Sequence, residues 1–75
     1  MSLKRDLAKE LHLLEEEIKL LEVKRSRSQA ALIEAIISRV EPSEEEVQYF
    51  RQYTAEIEVK RERLSTITKQ LEDLV

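Results

Sequence analysis

Apolar residues recur along the first half of the chain in alternating steps of three and four: Leu7, Leu11, Leu14, Ile18 and Leu21, then Leu32 and Ala35 after polar substitutes at Arg25 and Ser28. With Leu11 as heptad position a, these residues are the a and d positions of a helix with a coiled-coil seam. A second series follows, with Phe50, Ile57, Leu64 and Leu71 at every seventh residue and Tyr53, Lys60, Ile67 and Leu74 three residues after each. The pattern predicts helix 1 over about residues 2–39, a turn over about 40–43 and helix 2 over about 44–75, all within one domain spanning 1–75. At about 1.5 Å per residue the first helix would be roughly 57 Å long, and a helix of that length needs a partner along its seam.

The turn rests on Val40-Glu41-Pro42-Ser43-Glu44-Glu45. Pro42 lacks the N–H that a helix interior requires and drives Glu41 out of the α region. Ser43 is placed to cap the second helix, with Glu46 three residues on as the second half of a capping box and Pro42 facing Val47 as a hydrophobic staple. Glu44, Glu45 and Glu46 then occupy the first turn, where the helix dipole favours carboxylates. The expected fold is all-α: two long helices forming an antiparallel coiled-coil hairpin with its turn at residues 40–43.

Folding the chain back at 42–43 opposes residues whose numbers sum to 85. Leu11 then meets Leu74, Leu14 meets Leu71, Ile18 meets Ile67 and Leu21 meets Leu64. Further layers are Arg25 with Lys60, Ser28 with Ile57, Leu32 with Tyr53 and Ala35 with Phe50. Every a position meets a d position, as an antiparallel pair requires, so the spacing favours a hairpin over one kinked helix.

Near the turn the first helix carries more apolar surface than one seam uses. One partner helix buries Leu32 and Ala35, with Ile36 at the margin. Ala30, Ile33, Ile37 and Val40 point elsewhere, and Val47 and Tyr49 lie just across the turn. Exposed apolar surface of this extent marks an interface, so the expected partner face is Ala30, Ile33, Ile36, Ile37, Val40, Val47 and Tyr49. The alternative is a wide core face with some tolerated exposure.

Composition narrows the function. Charged residues make up 39% of the 75, glycine and cysteine are absent, and the net charge is −3. Residues 1–40 hold eight Lys/Arg against seven Asp/Glu, and 41–75 hold five against nine, so nucleic acid is not the default partner. The apolar run from Ala30 to Val40 is too short to span a bilayer and contains Glu34 and Arg39. Without a visible N-terminal signal, the expectation is a soluble cytoplasmic protein. A basic belt is expected at mid-hairpin: Lys24, Arg25 and Arg27 on one helix, Lys60, Arg61 and Arg63 on the other. It could hold an anion or an acidic partner segment. The interleaved carboxylates favour the other reading, in which the long side chains snorkel out and meet Glu22, Glu56, Glu58 or Glu62.

No enzymatic activity, cofactor or metal is expected. His12 is the one histidine, with Glu15 and Glu16 nearby, and reads as a solvated side chain rather than a ligand. A phosphate loop cannot form without glycine, and two helices enclose no pocket in which a hydroxyl could be activated.

Two resemblances bear on the partner. Ser28-Gln29-Ala30-Ala31-Leu32, then Pro42, then Gln48-Tyr49-Phe50-Arg51-Gln52 resembles the small helical-hairpin co-chaperones of type III secretion systems over about residues 25–53. That resemblance implies a bacterial cytoplasmic protein which, with a second chaperone, keeps the polymerising needle subunit soluble. The whole-chain layout, with Leu3-Lys4-Arg5-Asp6-Leu7 and Glu10-Leu11, is also similar to HR1 domains of Rho effectors, which would imply binding to a small GTPase. The glycine-alanine-glutamate element of their kinase members has no counterpart here, where Glu15-Glu16-Glu17 stands in that region. Homodimerisation, or assembly into a four-helix bundle, would bury the same apolar surface without a foreign partner.

Overall fold

A computed structural model describes residues 2–74 and consists of two helices, α1 (Leu3–Ile37) and α2 (Glu44–Asp73), packed side by side as an all-α hairpin 56 Å long. Both helices begin on a serine. The Ser2 hydroxyl accepts the Arg5 N–H at 3.4 Å and the Ser43 hydroxyl accepts the Glu46 N–H at 3.2 Å, each satisfying an otherwise orphaned donor of the first turn. The expected capping box is half made: among the described residues the Glu46 carboxylate forms no return bond to the Ser43 N–H. Glu46 lines a groove to which Lys24 and Arg27 of α1 also contribute. The expected staple residues Pro42 and Val47 are both half-buried.

Helix α1 stops two residues before the expected boundary at Arg39. The Val40 N–H donates to the Ala35 carbonyl at 2.8 Å and the Arg39 N–H to the Ile36 carbonyl at 3.1 Å, while Arg39 adopts φ 59°. This is a Schellman termination, with the left-handed position filled by arginine in a chain that has no glycine to offer. It reverses the chain before proline is reached, and Pro42 then keeps the chain from resuming helix ahead of the Ser43 cap. The expected end of helix 2 at Val75 lies outside the described residues; α2 ends at Asp73.

The seam positions are those the heptads indicated. Leu7, Leu14, Ile18, Leu21, Ser28, Ile57 and Ile67 are buried, and Leu11, Arg25, Leu32, Ala35, Phe50, Tyr53, Lys60, Leu64 and Leu71 are half-buried. Leu74 stays exposed at the end of α2.

The pairing register differs from expectation by one heptad. Ile67 packs with Leu7 and Leu14, and Ile57 with Ile18 and Leu21. Three ion pairs cross the hairpin between residues whose numbers sum to 77 (Lys60 with Glu17), 83 (Arg61 with Glu22) and 73 (Arg63 with Glu10). The register is thus centred on sums of about 78, not 85. A shift of seven exchanges one a–d layer for the next and leaves every a opposite a d. It follows from the early reversal, which moves the fold-back point toward Arg39 and Val40. Ile67 is therefore not opposite Ile18, Ser28 is level with Phe50 instead of Ile57, and no layer joins Arg25 to Lys60.

Candidate functional site

The surface left uncovered by the hairpin is concentrated on α1 and around the turn. Ile33, Ile36, Ile37 and Val40 are 48%, 66%, 72% and 61% exposed, with Ala30 exposed beside them. The expected face member Tyr49 is exposed too, but it lines a groove with Lys24, Arg27, Ser28 and Ala31 of α1 and is not brought together with these residues. Their exposure follows from the register: once Leu32 and Ala35 face α2, the rest of the last three turns of α1 has nothing to pack against. Ile36, at the margin of the expected core, lies outside it. Val47 is half-buried, so it belongs partly to the hairpin's own packing.

Across the turn, Tyr49 stacks on Tyr53 with ring centroids 6.3 Å apart and planes inclined by 19°. The Tyr49 hydroxyl donates to Glu45 Oε1 at 3.0 Å. That bond, reinforced by the nearby negative charge of Glu45, raises the phenol's pKa above its ordinary value. Tyr49 is thereby a neutral hydrogen-bonding aromatic, pinned on the groove it lines with Lys24, Arg27 and Ala31 of α1. An amphipathic ring held in this way suits a protein contact, where one end is apolar and the other wet.

The expected basic belt divides. Lys60, Arg61 and Arg63 of α2 each pair with a carboxylate of α1, at Glu17, Glu22 and Glu10. Of the carboxylates anticipated as partners only Glu22 is used, because the one-heptad shift brings the acidic stretch of α1 against the basic run of α2. Arg63 holds the Glu10 carboxyl below its ordinary pKa through its hydrogen bonds, and its own pKa is raised in turn. Lys24, Arg25 and Arg27 lie nearer the turn on α1, with Lys24 and Arg27 on the groove that Glu46, Tyr49 and Tyr53 complete from α2. The six cations therefore do not form one belt around a common layer.

His12 is exposed on α1, and Glu15 and Glu16 are exposed beyond it. No helix is long and apolar enough to cross a membrane among the described residues. No protein-family model, curated protein or solved structure matches the chain.

Proposed function

We propose that this chain is a non-enzymatic protein–protein interaction module, a small chaperone or adaptor that docks a helical partner on its turn-proximal apolar face. The observation that carries this reading is the run Ile33, Ile36, Ile37 and Val40, four large aliphatic side chains left in solvent together at the turn end of the hairpin. Aliphatic residues on successive turns form a stripe suited to the apolar face of an amphipathic helix.

The similarity of residues 25–53 to type III secretion co-chaperones supports a finer version of this proposal. The chain would act in the bacterial cytoplasm with a second chaperone, and together they would hold a needle subunit soluble. Replacing Ile33 and Ile37 by Asp tests the proposal, because both positions are exposed and the hairpin can remain helical without them. Co-purification of the partner from the native host should be lost while the helical circular dichroism is retained. Normal assembly by the double variant would put the interface elsewhere.

The antiparallel hairpin of 35- and 30-residue helices also favours a second reading, an HR1-like domain that binds a small GTPase. That reading requires nucleotide-dependent capture of the GTPase, and equal recovery of GTP- and GDP-loaded forms would eliminate it.

A further inference from the structure

Helix α1 carries a second stripe, distinct from the seam that packs on α2. Leu13, Leu20 and Val23 are large apolar residues exposed on its outer side, and Ala30 continues the line. In the heptad frame of the seam these are c and f positions, so they lie on the opposite side of the helix from the a/d core. The complete stripe reads Lys9, Leu13, Glu16, Leu20, Val23, Arg27, Ala30 and Glu34, again in steps of three and four, and every member is exposed. It spans about 38 Å at about 1.5 Å per residue.

We infer that this stripe is the interface with a second copy of the chain, packed antiparallel through α1 about a two-fold axis near Leu20 and Val23. The stripe is complementary to itself in one register, the one that opposes residues whose numbers sum to 43. Leu20 then meets Val23 of the second copy, Glu16 meets Arg27, Leu13 meets Ala30 and Lys9 meets Glu34, each layer occurring twice by symmetry. Apolar residues face apolar residues and every charge faces its opposite. A shift of one heptad either way opposes Glu16 to Glu34 or Lys9 to Arg27, and parallel packing about a two-fold opposes Glu16 to itself.

The charge distribution of the helix agrees with this register. Residues 10–22 contain Glu10, Glu15, Glu16, Glu17 and Glu22 against Lys19, whereas 23–39 contain Lys24, Arg25, Arg27 and Arg39 against Glu34. Antiparallel pairing lays the acidic stretch of one α1 along the basic stretch of the other, which rejects the wrong orientation. A shallow groove lined by Lys19, Glu22, Val23, Ser26, Arg27 and Ala30 lies on this face. Val23, Arg27 and Ala30 of that groove belong to the stripe, and Lys19, Glu22 and Ser26 flank it. Glu16 lies 3.6 Å from Lys19, but both side chains are largely exposed and that contact yields readily to Arg27 of the second copy.

Beyond Glu34 the next layer would set Ile37 against Asp6, so the overlap ends there. The dimer is a four-helix assembly with the two turns at opposite ends, each still presenting Ile36, Ile37 and Val40. It does not rest on the turn-end docking proposed above, and shares only Ala30 with that face.

Sedimentation equilibrium of the intact protein, with charge reversals on the stripe, tests the inference. The wild type should be a dimer. Glu16→Arg or Arg27→Glu alone should weaken it roughly tenfold or more, because each replaces two attractions by two repulsions, and the double reversal should restore it. As a second readout, the Leu13→Cys/Ala30→Cys variant of this cysteine-free chain should close under oxidised glutathione into a covalent dimer. A monomeric wild type overturns the inference. So does a dimer that ignores the single reversals but dissociates on Ile33→Asp/Ile37→Asp, since it would then form through the turn ends. Should the charge variants lose helicity, the cysteine pair decides, and its failure to cross-link overturns the inference by itself.

Discussion

Arg63 grips Glu10 across the hairpin with two guanidinium nitrogens, Nε 2.7 Å from Oε2 and Nη2 3.1 Å from Oε1, joining residues 53 apart in sequence. Fork-to-carboxylate geometry of this kind fixes position as well as charge, and the pair pins the register at the end far from the turn. The hydrogen bonds from Arg63 hold the Glu10 carboxyl below its ordinary pKa against the opposing effect of desolvation, and the Arg63 charge adds a smaller lowering. A lowered folded-state pKa contributes stability that is fully present above the unfolded carboxylate range and disappears as pH falls through the folded value. NMR titration should therefore find Glu10 ionised at pH values where a free glutamate side chain is largely protonated. Arg63→Gln should return Glu10 to the ordinary range, and Glu10→Gln should flatten the acid limb of the melting temperature. A Glu10 that titrates in the ordinary glutamate range in the wild type would mean that the grip does not persist in solution.

Ile57 and Ile67 have no exposed surface, and each anchors one of the two core clusters. Truncating either to Ala removes buried methylene and methyl groups and leaves a cavity between two helices with no third layer to collapse inward. The expected cost is about 2–5 kcal/mol, a large share of what so small a domain possesses. Val59 projects outward, and Val59→Ala should change stability by no more than about 0.5 kcal/mol. Double-mutant cycles in chemical denaturation sharpen this into a test of register. Ile67 should couple to Leu14, which shares its cluster, and not to Ile18, which packs with Ile57. Coupling to Ile18 in place of Leu14 would restore the register with sums of 85.

Which residues face inward was legible because periodicity reports the face of a helix. Leu7, Leu14, Ile18, Leu21, Ile57 and Ile67 are all buried where the heptads put them. The register was not legible from the same signal, since sliding one helix by a heptad exchanges a–d layers that are chemically alike. Flanking charge breaks that degeneracy. With sums near 85, Arg25 faces Lys60; with sums near 78, Glu10, Glu17 and Glu22 fall beside Arg63, Lys60 and Arg61. Those carboxylates and cations were visible in the sequence, and weighing them together with the apolar seam selects the observed pairing. The apolar residues of the turn end were legible as a surplus, because Ile33, Ile36, Ile37 and Val40 exceed what a single seam can cover. The early stop of α1 left no such mark, as the left-handed position that usually takes glycine is held by arginine.

That arginine makes the last prediction. Arg39 sits at φ 59° in the Schellman turn that ends α1, a conformation in which Cβ crowds the following carbonyl at a cost of about 1–2 kcal/mol for a residue other than glycine. Arg39→Gly removes the crowding but enlarges the conformational freedom lost on folding, which offsets part of the gain. The net should be a stabilisation of about 0.5–1 kcal/mol, read as a higher midpoint in urea with an unchanged slope. Arg39→Ala keeps the crowding and should give no such gain, while Arg39→Val, branched at Cβ, should destabilise. Both Ser38 and Arg39 are exposed, so lost packing cannot produce that ordering. If Ala stabilises as much as Gly, the benefit comes from removing the arginine side chain, and the left-handed turn is not what costs the hairpin its stability.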